Sequence, residues 1–321
     1  MTEDATPAPD PRMDVYARPQ TLVRIGRRRR LNVRLTGEGA PTVILSAGGG
    51  GSTIHWLRVQ EQLSRTHRVL SFDRAGMGFS DPGPAPRTTG RAVDDLRAAL
   101  SALGVPPPYV LVGHSMGSFD ARLFTFRHPE EVLGLVLVDP RGDRLSERLA
   151  AVSPGFVAQY REEVRGFRRN AAIAARRPEP GSPEYQALVP PDDPRLTPAV
   201  NAAFRNAALR PSFWRTIVSE GENLDTSSAA ELARARRPLG IMPLIVLTAS
   251  QPPFPGSTPD ETAAVMNLWK SSHDELAGLS DKGVRRDVPN VGHMIPTERP
   301  EVVVDAIREV VADAVREQRR S

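Results

Sequence analysis

Short apolar runs alternate with longer stretches of helical period over most of this chain. Thr42–Ala47 predicts a buried strand, and it gives way at once to the glycine cluster Gly48–Gly51. Trp56 to Ser64 has Trp56, Val59 and Leu63 on one helical face, and Arg68–Asp73 reads as the next strand. Arg91–Leu103 carries Val93, Leu96, Leu100 and Leu103 at helical spacing. Tyr109–Val112 then reads as strand, Ser118 to His128 as helix and Leu133–Asp139 as strand again. Such alternation predicts a parallel sheet with helices on both faces.

The rhythm breaks after Pro140. Residues 140–238 are rich in proline, hold arginine-rich helical patterns such as Phe156–Arg169, and offer no convincing strand. Strand pattern returns at Pro243–Thr248 and Val284–Val288, and a last helix runs from Pro300 to about Gln318. The organisation expected is therefore an α/β core over 15–139 and 239–321, with a helical insertion at 140–238. Residues 1–14, polar and proline-rich, read as a disordered tail.

Composition narrows the partners. The 321 residues are 40% hydrophobic and 25% charged, as in ordinary globular chains. The net charge is +4, and the isoelectric point near 9.9 reflects basic residues that are nearly all arginine. Arg27-Arg28-Arg29-Arg30 could mark a nucleic-acid surface, but it falls between the strand-like Thr21–Ile25 and Leu31–Leu35 and reads better as a solvated hairpin turn. No nucleic-acid partner is expected. With no cysteine, disulfides, thiolate metal sites and a cysteine nucleophile are all excluded. The N-terminus lacks the basic-then-apolar pattern of a signal peptide, and no apolar run approaches the roughly 18 residues of a membrane span. The expectation is a cytoplasmic protein without membrane attachment.

One motif carries chemistry. Gly113-His114-Ser115-Met116-Gly117 follows an apolar strand and precedes a helix, the context in which G-x-S-x-G lifts a serine out of a sheet on a strained turn. A serine needs a histidine base, a carboxylate to orient it, and N–H donors for the developing oxyanion. Of the six histidines, only His293 lies in a short loop between a late strand and the terminal helix, at the sheet edge where Ser115 also projects. His114 reads as structural, and His67 and His128 as surface residues at the opposite edge. For the carboxylate, Asp139 ends the strand expected beside that of Ser115. It could instead cap the turn Pro140-Arg141-Gly142, and Asp260 and Asp274 stand as alternatives. The expected oxyanion donors are the N–H groups of Met116 and Gly49. A phosphate-binding reading of Gly48–Gly51 fails for want of G-K-[ST] or G-x-G-x-x-G.

Four segments together resemble the α/β-hydrolase fold family: Ser46–Gly51 with Trp56, Asp73-Arg74-Ala75-Gly76-Met77-Gly78-Phe79-Ser80, Gly113–Gly117, and Gly292-His293. The resemblance spans about residues 20 to 318. It implies an eight-stranded, mostly parallel sheet, a lid inserted after the sixth strand (here 140–238), a Ser-Asp-His triad, and neither cofactor nor metal. It also implies a structural role for Asp73. Two departures stand out. Ala47-Gly48 replaces the family's usual His-Gly, and no acid follows the seventh strand, so Asp139 corresponds to the variant that places it after the sixth. A serine at the elbow disfavours the dehalogenase and epoxide hydrolase members. The activity implied is hydrolysis of a carboxylic ester or lactone. Amide, carbamate or carbon–carbon bond hydrolysis, a cofactor-free lyase or peroxidase, and a non-catalytic binding protein would use the same scaffold. Phe156, Tyr160, Phe167, Tyr185, Phe204, Phe213 and Trp214 suit an apolar or aromatic small-molecule substrate, or pack the lid. Arg161 and Arg215 could attract an anionic one, or simply face solvent.

Overall fold

The computed structural model describes residues 9–252, 256 and 258–319. Eight strands form one sheet: β1 (Thr21–Ile25), β2 (Arg29–Thr36), β3 (Thr42–Ser46), β4 (Val69–Phe72), β5 (Tyr109–His114), β6 (Val132–Val138), β7 (Leu244–Ala249) and β8 (Gly283–Val288). Their order is β1-β2-β4-β3-β5-β6-β7-β8. The β1–β2 and β2–β4 pairs are antiparallel and the others parallel, so β2 alone runs against the rest.

The apolar runs are unbroken because both faces of the sheet are covered, and strand parity sorts them. Ile44, Leu111, Leu135, Leu137 and Val246 face one layer with Val93, Leu96 and Phe124 from the helices Thr89–Leu103 and Gly117–Arg127. Val43, Leu45, Val110, Val112, Val136 and Leu247 face the other, against Trp56 at the end of the 3-10 helix Thr53–Trp56 and Val59, Ile307 and Val310 from Leu57–Leu63 and Pro300–Gln318. The edge strand β8 is mostly exposed and carries Arg285, Arg286 and Asp287, charges that discourage pairing with another chain.

Between β6 and β7 the described residues form helices and no strand, among them Leu145–Val152, Pro154–Ala175, Pro183–Leu188, Pro198–Ala208 and Pro211–Asn223. Two details depart from the sequence reading. Residues 1–8 of the expected tail lie outside the described residues, but Pro11–Ala17 is a 3-10 helix, because Met13 and Tyr16 are buried against Ile54, Leu57 and Val200. The arginine run is not all turn: Arg29 and Arg30 belong to β2, their charges paired with Asp95 and Asp81. No helix among the described residues is long and apolar enough to cross a membrane.

Candidate active site

Strands β5 and β6 end in register, His114 opposite Val138. The next residue of each, Ser115 and Asp139, takes a left-handed backbone with φ of 51° and 40°. Each such conformation costs on the order of 1–3 kcal/mol and persists only where its surroundings enforce it. Here Ser115 N–H donates to Val138 O at 3.0 Å and Arg141 N–H to Ser115 O at 3.1 Å. The turn closes tightly: a Cβ on Gly113 would lie 2.5 Å from Gly117 O, and one on Gly117 would lie 2.3 Å from Ser46 O. Glycine is required at both places by contact alone.

Asp139 is fully buried and every bond it makes is directional. Its Oδ1 accepts from Ala249 N–H at 2.9 Å and from Trp269 Nε1–H at 2.8 Å. Its Oδ2 meets His293 Nδ1 at 2.6 Å. Burial pushes this carboxyl up, yet the His293 hydrogen bond and the neighbouring imidazole charges prevail and hold it below its ordinary value. His293 is a quarter exposed, so its ring reaches the open side of the sheet edge. The Ser115 hydroxyl makes no hydrogen bond among the described residues; serine–histidine contacts often tighten only when substrate binds. The fallback acids lie elsewhere, Asp274 on Arg285 at 2.6 Å and Asp260 exposed in the first turn of Pro259–Ala277.

Three further residues surround this pair, and two of them, Trp269 and His273, escaped the sequence reading. His114 was expected to be structural; its Nε2 lies 2.9 Å from the carbonyl oxygen of His293, and the two rings are 4.8 Å apart. Burial, and then the nearby His293 charge, pull its pKa down to about 3, so it is neutral and donates from Nε2. His273, wholly buried, bridges Thr248 Oγ1 and Pro140 O, both at 2.8 Å, and burial lowers it to about 4. Trp269 and His273 stand four apart on one helix, a spacing that puts both on the face toward the end of β6. That spacing was the available signal. His67 and His128 are partly exposed, as expected.

Neither Gly49 N–H nor Met116 N–H donates to a protein acceptor among the described residues, and a Cβ on Gly49 would lie 4.0 Å from Met116 Sδ. Next to them Gly50 lines an apolar cavity of about 360 Å³. Phe204, Phe213 and Trp214 also line it, whereas Phe156 and Tyr160 stack together over Val265 and Trp269. Ser115 and His293 are not among its lining residues, so the cavity meets the site at the glycine loop rather than at the nucleophile. Asp73 reaches the same loop region: its carboxylate accepts from Thr53 N–H at 2.7 Å, Phe79 N–H at 2.8 Å and Asn32 Nδ2 at 2.8 Å. Arg161 and Arg215 are exposed.

Residues 41–183 match the family model of the alpha/beta hydrolase fold. That match places this part of the chain with the α/β-hydrolase superfamily, and the eight-stranded sheet has the same fold. Among curated relatives of this hydrolase-fold protein, YqjL of Bacillus subtilis (strain 168), an uncharacterized protein, is 24% identical over 275 residues, 85% of each chain. Among solved structures, a thermophilic esterase from Thermogutta terrifontis aligns with a TM-score of 0.58 at 23% identity, covering 92% of this chain and 98% of that one. The enol-lactonase from Burkholderia xenovorans LB400 aligns at 0.59 with 18% identity, covering 88% and 97%. At such identities the structural likeness is one of fold.

Proposed function

We propose that this α/β-hydrolase-fold protein cleaves a carboxylic ester or lactone through an acyl-enzyme on Ser115. The observation that carries the reading is the Asp139–His293 pair: with Oδ1 committed to two N–H donors, Oδ2 is left to accept from His293 Nδ1–H at 2.6 Å. That bond fixes the tautomer with its lone pair on Nε2, the form a general base requires. Ser115 Oγ attacks the carbonyl carbon as His293 Nε2 takes its proton. The oxyanion is received by the N–H groups of Gly49 and Met116, and His293 then protonates the departing alkoxide. Water, activated by the same histidine, attacks the acyl carbon and returns Ser115 to its hydroxyl form. The cavity beyond Gly50 would hold the apolar part of the substrate, with room of about 360 Å³. An esterase and an enol-lactonase on the same fold accord with this reading.

The test is hydrolysis of a p-nitrophenyl ester series of increasing acyl length, beside labelling by a fluorophosphonate. Turnover and labelling that both vanish in Ser115→Ala are the expected result. Undiminished turnover in that variant would refute the assignment of the nucleophile.

A further inference from the structure

The loop after β4 holds a charged residue that the mechanism above does not use. Arg74 is 3% exposed, which is costly for a guanidinium unless its donors are matched. They are matched by two groups of partners. Its Nη1 donates to Ala47 O and its Nη2 to Gly48 O at 2.7 Å, two successive carbonyls of the glycine loop. Its Nε donates to Glu220 Oε1 at 2.9 Å, and Nη2 also reaches Glu220 Oε2 at 3.2 Å. Asp120, which accepts from Ser46 Oγ at 2.8 Å, adds a second carboxylate 3.8 Å from Nη1.

The Gly48 carbonyl and the Gly49 N–H belong to one peptide unit. A trans peptide is planar, with its C=O and N–H pointing in opposite directions. Whatever holds Gly48 O toward Arg74 therefore aims Gly49 N–H away from Arg74. Inside the loop Gly51 N–H donates to the same Gly48 O at 3.1 Å, but Gly48–Gly51 carries no side chain that would resist rotation of that unit, and Arg74 adds a charged donor to that oxygen from outside the loop. The other end of the fork is held by the helical insertion, since Glu220 lies on Pro211–Asn223. That helix seats closely on the loop after β4: a Cβ on Gly76 would lie 2.1 Å from Thr216 Oγ1, and Ser219 Oγ accepts from Arg87 N–H at 2.9 Å.

We infer that Arg74 is a positioning residue that sets the orientation of the Gly49 oxyanion donor, and that Glu220 ties this orientation to the seating of the inserted helices. The inference rests on the serine-nucleophile reading. Its signature is a loss of transition-state binding without a matching loss of substrate binding, because the donor acts on the oxyanion.

The experiment compares the full-length wild type with Arg74→Lys, Glu220→Gln and Ser219→Ala. Each is measured for kcat and KM on one p-nitrophenyl ester, affinity for a trifluoromethyl ketone that forms a tetrahedral adduct, fluorophosphonate labelling, and Tm. Complete loss of one oxyanion donor costs about 10²–10³ in kcat, so misorienting it in Arg74→Lys should cost about 10- to 100-fold. KM should stay within about twofold while ketone affinity falls with kcat. Glu220→Gln should show a smaller loss of the same pattern. Ser219→Ala removes one hydrogen bond of the same helix but leaves the Glu220–Arg74 fork and the Thr216–Gly76 contact in place, and should keep wild-type kcat. A fall in Tm with kcat and ketone affinity intact would make Arg74 a fold-stabilising ion pair only and overturn the inference. If Arg74→Lys does not fold, unchanged kinetics in Glu220→Gln overturn it equally. A wild type that neither turns over the ester nor labels at Ser115 overturns the nucleophile reading itself, and the inference with it.

Discussion

Asp139→Asn isolates the tautomer from the shape of the site. The amide is isosteric with the carboxylate but has one donor end and one acceptor end. Two fixed N–H groups, Ala249 N and Trp269 Nε1, point at the Oδ1 position from 2.9 and 2.8 Å, so the amide oxygen must occupy it. The NH₂ then faces His293 Nδ1 across the 2.6 Å contact. His293 can satisfy it only by giving up the proton on Nδ1 and carrying it on Nε2, where it blocks acceptance of the serine proton. Restoring the active tautomer loses a charge-assisted hydrogen bond, about 1.5–3 kcal/mol, and leaves opposed donors, about 1–3 kcal/mol more. The sum, about 2.5–6 kcal/mol, corresponds to roughly 10²–10⁴ in kcat at 1.36 kcal/mol per decade. The assay is steady-state ester hydrolysis beside ¹⁵N NMR of the His293 ring. Nε2 should report as protonated in the variant, with both N–H groups that bond Oδ1 still satisfied and Tm nearly unchanged. A kcat within tenfold of wild type, or an Nδ1-protonated ring, would refute the reasoning.

Other outcomes follow from the same geometry. Gly117→Ala would force a Cβ to within 2.3 Å of Ser46 O and 2.6 Å of Ala47 O, and should destabilise by about 1–3 kcal/mol or more, read as a lowered urea midpoint. Ala207→Phe fills part of the cavity beside Phe204 and Trp214; kcat/KM for long acyl chains should fall at least about tenfold while acetate turnover is spared, and a uniform loss across chain lengths would count against an acyl role for the cavity. Stability should fall on acidification from pH 7 to 5. His114 and His273 are depressed from 6.5 to about 3 and about 4, so the unfolded chain takes up protons that the folded one refuses, and their stabilisation, complete above 6.5, is lost as pH drops toward those values. Asp120, raised from 3.8 to about 6 by burial, works the other way between those two values. His55, His67 and His128 are lowered as well, mainly by burial, and Asp73 and Glu163 are raised by it; the five lowered histidines outnumber the three raised carboxylates, so the net direction is a loss of stability on acidification. An unchanged urea midpoint between pH 7 and 5 would contradict it.

The sheet was legible in the chain because burying both faces demands unbroken apolar runs, as at Leu133–Val138, and because the helices between keep a helical period. The elbow was legible for a related reason: Gly113 and Gly117 are forced by contacts a few residues away or on the adjoining strand end, so local sequence carries the signature. The sequence offered Asp139 as the partner of His293 with Asp260 and Asp274 as alternatives, and His114 as structural, but it gave no part to Trp269 or His273, which also surround the pair. An indole N–H and two neutral imidazoles have no motif of their own, and their partners lie 130, 179 and 133 positions away along the chain. Arg74 lay inside a segment already singled out, beside an aspartate that drew the attention, while its meaning rests on Glu220, 146 positions on. Local sequence thus determined the strands, the strained turn and the residue types that can do acyl chemistry. Only the tertiary structure decided which way their hydrogen bonds point, because a donor's direction is set by whichever distant backbone or side chain the fold brings to face it.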